Sequence, residues 1–234
     1  MDSKEGGAPP AAADQRQIPL GPNAAQILST EHWSLIAARS LIWSEALSRA
    51  AVFLTVLSAS IISLALLADA TGFGSQTAAV ALVLLPVVFL LGIAAYSRLV
   101  QINTEEFQIV LAMNRLRNAY LRLEPGLEPY LTTGHHDDMP GIVTTYMLYR
   151  PSRAWLLIHF AVNTPTIVAT VDAAVAATVV ALLLHLVNVP LAGAVAGGVV
   201  AFAAVWSVLF LVQLHSLRRL SAQAPRFPTP PDPT

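Results

Sequence analysis

The chain is 234 residues long, 55% hydrophobic and only 12% charged, with a formal net charge of −1 and no cysteine. Soluble domains usually carry about 25% charged residues, so this composition and a mean hydropathy of +0.61 point to a membrane protein. The balanced charge gives no global field for nucleic acid, and the lack of cysteine excludes disulfides, thiolate nucleophiles and cysteine-ligated metals.

Residues 1–22 are rich in Ala, Pro and Gly and show no charged segment leading into an apolar core. They read as a disordered tail rather than a secretory signal. The segment 23–124 is expected to hold a cytoplasmic helix, a first hairpin of two spans and a second cytoplasmic helix. In the first helix, Trp33, Ile36, Trp43 and Leu47 recur at helical spacing, broken by Ser40, with Asn23 or Thr30 as a cap.

Ala50 to Ala68, bounded by Arg49 and Asp69, is close to the roughly 20 residues needed to cross about 30 Å of hydrocarbon. Asp69 to Ser75, with Gly72 and Gly74, reads as a tight turn. A second span follows at about 77–97, with Pro86 near its centre as a predicted kink. Beyond it, Leu99, Ile102, Ile109, Met113, Leu116, Tyr120 and Leu123 repeat every three or four residues, interrupted by Glu106, until Glu124-Pro125-Gly126 stops the helix. Two such apolar stripes leaving adjacent spans on one side can face each other as an antiparallel stalk. The alternative is that they pack flat on the membrane surface.

Residues 125–164 read as a cytoplasmic loop and, from Pro151 to Asn163, as an interfacial helix anchored by Trp155 or as the start of a long, tilted third span. Thr164 is the expected N-cap of span three, with Pro165 at its first helical position. Spans three and four lie at about 165–187 and 191–214, joined by Asn188-Val189-Pro190 as a second hairpin. Residues 215–234 are read as a disordered, Pro-rich tail.

Every Lys and Arg precedes span one, lies between spans two and three, or follows span four. The positive-inside rule therefore puts both termini and the central segment on the cytoplasmic side of the cytoplasmic (inner) membrane. The expected fold is all-α: a polytopic helical membrane protein, four transmembrane helices in two hairpins with a cytoplasmic helical stalk.

Asp172 is the one acidic residue well inside an apolar span. A charge there costs about 2.5–3.5 kcal/mol at the helix centre on insertion scales, so it is expected to face the bundle interior or water. It reads either as a protonated or hydrogen-bonded structural group, or as a group on an ion or proton pathway. Ser207 on span four, and Thr55 and Ser58 on span one, come to similar depth. Ala169, Ala173, Ala177 and Ala181 recur every four residues, and Gly193 and Gly197 form a GxxxG. Such ridges serve close packing within one chain or between copies.

His135-His136-Asp137-Asp138 concentrates imidazole and carboxylate groups that suit zinc-like metals. Glu124, Glu128 and His159 are the candidate helpers, and a solvated or stalk-docked loop is the alternative. No P-loop, GxSxG elbow, HExxH or dinucleotide fingerprint is present. The sequence thus gives no positive sign of an enzyme and calls for no cofactor. The expected partners are the lipid bilayer, further copies of the chain and a cytoplasmic protein meeting the stalk.

The run Met113-Asn114-Arg115-Leu116-Arg117-Asn118-Ala119-Tyr120, then Pro125-Gly126-Leu127-Glu128-Pro129-Tyr130 and the His-His-Asp-Asp segment, resembles a family of uncharacterised bacterial four-span integral membrane proteins over most of the chain. That resemblance implies the membrane fold and no activity. The order helix, two spans, helix over residues 23–124 is similar to SLATT-type two-span domains. It implies an oligomeric channel-like or membrane effector component, although the second hairpin departs from the pattern. A scaffold or regulatory subunit, and a small transporter, are the other functional readings.

Overall fold

The computed structural model describes residues 20–230 other than 73, 148–162 and 222. Of the tails expected at 1–22 and 215–234, residues 1–19, 222 and 231–234 lie outside the described residues, as does the segment around Trp155, while 215–221 continue the last helix. All regular structure among the described residues is helical: α1 (Ala24–Thr71), α2 (Ser75–Leu123), a 3-10 turn (Pro125–Tyr130), α3 (Met139–Met147), α4 (Thr164–Leu186) and α5 (Leu191–Ser221). Four of these, α1, α2, α4 and α5, are long and apolar enough to cross a membrane. At 48 and 49 residues, α1 and α2 are more than twice the ~20 residues a span requires. Pro86 sits within α2 without ending it.

Local chemistry sets the helix ends. After α1, Gly72 takes the left-handed conformation at φ 76°, and its carbonyl accepts a hydrogen bond from Thr77 Oγ1 at 2.9 Å. The N-cap of α4 is Asn163, one residue before the expected Thr164. Its side chain accepts from the Thr166 amide at 2.9 Å, which answers one of the orphan N–H groups of the first turn. Pro165 falls inside that turn, where its missing N–H has no intrahelical partner to lose. α4 ends on a Schellman motif: Val189 N–H donates to Leu184 O and Asn188 N–H to His185 O, both at 3.0 Å. Asn188 supplies the left-handed residue at φ 63°, a role usually given to Gly.

The chain divides into two compact units. One comprises residues 37–109 and the second pair of long helices. Its core joins Phe53 and Leu57 of α1, Leu85, Val88, Tyr96 and Leu99 of α2, Val168, Ala169 and Val175 of α4, and Leu209 of α5. Apart from Asp172, the polar side chains beside this core bond one another or the backbone. Tyr96 donates its hydroxyl proton to Leu209 O, Thr166 Oγ1 bonds Gln213 Oε1 at 3.3 Å, and Trp206 Nε1 donates to Thr170 Oγ1 at 3.1 Å.

At the other end of the same unit, Arg98 forks onto Glu45 through Nε and Nη2, both at 2.9 Å, and reaches Glu105 with Nη1 at 2.7 Å. The Arg98 hydrogen bonds hold the Glu45 carboxyl below the usual carboxylate range, against the opposing effect of burial. One helical turn or more further along, Glu106 is buried and accepts from Arg39 Nε and Nη2 and from Trp43 Nε1. The residue that interrupts the apolar repeat of α2 is therefore its polar tie to α1.

The α1 stripe differs from the expected one. Trp33 is 70% exposed and Leu47 62%, and Ile36 and Trp43 are exposed as well. The half-buried positions are Leu28, His32, Leu35, Arg39 and Ile42, leading to buried Ala46. Two of these inward positions are polar, so a search by apolarity lands on the neighbouring face. On α2, Leu99, Ile102 and Met113 are buried as the repeat predicts.

The second unit comprises described residues 20–36, 110–147 and 224–230. Val110, Leu111, Met113 and Ile142 form its apolar centre, and His32 stacks on Tyr120 with ring centroids 5.9 Å apart.

Candidate functional site

Two constellations bring chemistry-bearing groups together. The first lies among the long helices. Along α4, Val168, Ala169, Asp172, Ala173 and Val175 make up the buried face, and Asp172 is 0% exposed. Neither of its carboxyl oxygens has a hydrogen-bond partner among the described residues.

What faces it is a notch in α2. A Cβ added at Gly92 would lie 2.5 Å from Asp172 Cγ and 2.8 Å from Phe53 Cε2, so glycine alone lets the carboxyl lie against that helix. Ser207, Thr55 and Ser58 are all exposed, and none reaches Asp172. The buried hydroxyl of α1 is Ser60, which is spent on Val56 O at 2.8 Å. The carboxyl group thus sits in an apolar, glycine-floored niche bounded by α1, α2 and α4.

Close packing of α4 on α5 uses the predicted alanines. Ala169 and Ala173 are buried, and the Ala177 carbonyl and Ala181 Cβ lie 3.0 and 3.2 Å from where a Cβ at Gly198 would stand. The glycine that makes this contact is Gly198, with buried Ala194 a turn before it, rather than Gly193. Gly193 is exposed, and Gly197 is covered by the Leu184 side chain.

The second constellation is the His-His-Asp-Asp loop. Asp138 caps α3, accepting from the Gly141 amide through Oδ1 at 3.0 Å. It also takes Thr229 Oγ1 at 2.8 Å on Oδ1 and the Thr229 amide at 2.6 Å on Oδ2. Asp137 is buried and accepts from Arg226 N–H at 3.0 Å, Phe227 N–H at 2.6 Å and Arg115 Nε at 2.8 Å. Its own amide donates to Phe227 O at 3.2 Å. Residues 226–229, expected as a free tail, are thus held along the loop.

Asn114 is the hub beneath. Its Nδ2 donates to His136 O at 2.8 Å, and its Oδ1 accepts from Arg117 Nη1 at 2.9 Å and Thr145 Oγ1 at 2.7 Å. Gly134 and Gly141 have no room for a side chain: a Cβ on either would overlap the backbone of the other segment.

The electrostatics follow from this wiring. Burial alone would raise both aspartates, but the Arg226, Phe227 and Arg115 donors hold Asp137 below the usual carboxylate range. Asp138 is likewise lowered, against burial, by its Thr229 and Gly141 donors and by His136. His135, whose ring centroid is 4.2 Å from that of His136, is lowered by burial and then by that neighbour. With both carboxylates engaged in this way, no group of three or more His, Asp or Glu side chains among the described residues is placed to hold a metal. His159 lies outside the described residues.

Sequence reasoning found Asp172 and the loop but missed Gly92, Asn114 and the 226–229 strap. A lone Gly in a long apolar run was the available signal for the notch. No family model, curated protein or solved structure matches the chain, so its function has to be argued from these two constellations.

Proposed function

We propose that the chain is a multi-pass protein of the cytoplasmic membrane, built as two helical hairpins with both termini and a helical stalk on the cytoplasmic side. It assembles as a homo-oligomer and acts as a channel-like membrane effector that passes protons or small cations by way of Asp172. One observation carries this reading: the carboxyl group is fully buried at span depth with neither oxygen hydrogen-bonded. A structural aspartate recovers its dehydration cost through hydrogen bonds; this one does not. An ionisable side chain within a span marks an ion or proton path by default, and a carboxyl group can bind and release either species.

The test is flux in liposomes reconstituted with wild type, Asp172→Asn and Asp172→Glu. Wild-type proton or potassium flux, lost in Asp172→Asn and kept in Asp172→Glu, supports the proposal. Equal flux in wild type and Asp172→Asn, or background flux in both, refutes it.

A scaffold role is the second reading, favoured by the exposed stripe of Trp33, Ile36, Trp43 and Leu47 on α1. Contiguous apolar patches on an aqueous surface mark interaction sites. The chain has no native cysteine, so a single cysteine at Ile36 gives an unambiguous cross-link. A trapped second copy or partner supports this reading, and no trapped species in native membranes counts against it.

A further inference from the structure

Between α1 and α2 runs a groove of about 600 Å³ whose lining changes character along its length. At one end stand Ser44, Ser48, Arg49 and Glu45, whose carboxylate Arg98 clasps; at the other, Val52, Phe53 and Leu91. The α1 residues among them form two adjacent rows, Ser44, Ser48 and Val52 beside Arg49 and Phe53, on one side of the helix. The volume falls in the range of about 300–1,000 Å³ typical of small-molecule sites.

The two arginines near this groove are not equivalent. Arg98 is committed to Glu45 and Glu105 at 2.7–2.9 Å. Arg49 reaches Glu45 at 3.5 Å, on the oxygen that Arg98 Nε already holds at 2.9 Å, and its side chain is 58% exposed. A guanidinium left so loosely engaged, beside two serine hydroxyls on the same face, presents the planar fork that suits a phosphate. One turn further on, the groove offers nothing polar.

We propose that this groove is a phospholipid-binding site. The lipid phosphate is held by Arg49 with the Ser44 and Ser48 hydroxyls, and one acyl chain lies along Val52, Phe53 and Leu91. With the Glu45 carboxylate already held by Arg98, the Arg49 guanidinium and two hydroxyls at one end and an apolar wall at the other select this occupant. Free phosphate would leave the apolar end empty, and a neutral detergent would leave Arg49 unmatched. The site lies where the apolar stretch of α1 begins, and it does not depend on any role for Asp172.

The experiment is native mass spectrometry of the full chain in a phosphorus-free neutral detergent, delipidated and titrated with phosphatidylglycerol. Three proteins are compared: wild type, Arg49→Ala and Val52→Trp. Val52 is 54% exposed, so a tryptophan fits there without disturbing the fold while filling the groove and leaving the charges alone. Wild type is expected to hold one lipid; Arg49→Ala should bind about tenfold more weakly, the usual loss for a charge-assisted hydrogen bond, and Val52→Trp should weaken binding about as much by filling the space of the acyl chain. Equal lipid retention in all three proteins, or none in wild type, overturns the proposal. Displacement of the lipid by millimolar inorganic phosphate also overturns it, since the acyl wall would then contribute nothing.

Discussion

Replacing Asp137 by Ala deletes one acceptor that serves three donors: the Arg226 and Phe227 amides and Arg115 Nε. Hydrogen bonds to a charged group contribute about 1.5–3 kcal/mol each. Burial of the carboxylate offsets part of that, leaving about 1 kcal/mol per donor. Two of the three donors, the Arg226 and Phe227 amides, belong to the strap, which should therefore lose about 2 kcal/mol, roughly a thirtyfold shift toward its undocked form. This opening is local, because the strap contributes little of the apolar centre around Val110 and Met113. Hydrogen exchange at the Arg226, Phe227 and Thr229 amides reads it directly. Exchange there should speed up roughly thirtyfold, while amides in the middle of α2 stay unchanged. Asp137→Asn, which keeps the shape but turns donors toward donors, should behave similarly. Unchanged protection at 226–229 in both variants would refute the clamp.

Three further outcomes follow from the same geometry. Asp137 and Asp138 both titrate below their ordinary values, so their contribution to strap docking is complete above about pH 5 and is lost as pH falls through the lowered folded values; protection of the 226–229 amides that is the same at about pH 7 and about pH 2, after correction for the intrinsic exchange rate, would contradict this. Gly92→Ala puts a methyl group onto the Asp172 carboxyl and the Phe53 ring and should destabilise the detergent-solubilised protein by about 1–3 kcal/mol, part of it restored by adding Asp172→Ala; a wild-type melting temperature for Gly92→Ala alone would remove the notch from the account. Gly198→Ala presses on the α4 backbone at Ala177 O, whereas Gly193→Ala meets only a movable Val189 methyl, so thermal melts should show loss for Gly198→Ala and little change for Gly193→Ala. The reverse order would assign the contact to the wrong glycine.

Much of the fold was legible because hydrocarbon thickness and helical rise leave few options for long apolar runs. The four long helices and the turn at Asn188-Val189-Pro190 all fall where apolar length and punctuation put them. The inward face of α1 was not legible, because it carries His32 and Arg39, whose partners Tyr120 and Glu106 lie 88 and 67 residues away. Period counting registers such polar seam positions as interruptions. The loop was singled out for its ligand types, yet its carboxylates serve as a helix cap and a strap anchor. That outcome depends on backbone N–H groups at 226–229, which carry no side-chain signature. Asp172 was found by its charge alone, while its environment depended on a missing Cβ on another helix.

The arginine–glutamate ties also have a mechanical side. Arg98 clasps both oxygens of Glu45, and Glu106 takes two nitrogens of Arg39. Axial slip of α1 past α2 by one residue displaces the partners by about 1.5 Å, which stretches a transverse 2.9 Å contact to about 3.3 Å, just past the usual hydrogen-bond distance. Both clasps would have to open in the same event. Over residues 37–109, α1 and α2 therefore resist shear while remaining free to tilt together, and a push delivered to either helix at this level is borne by the two as one strut.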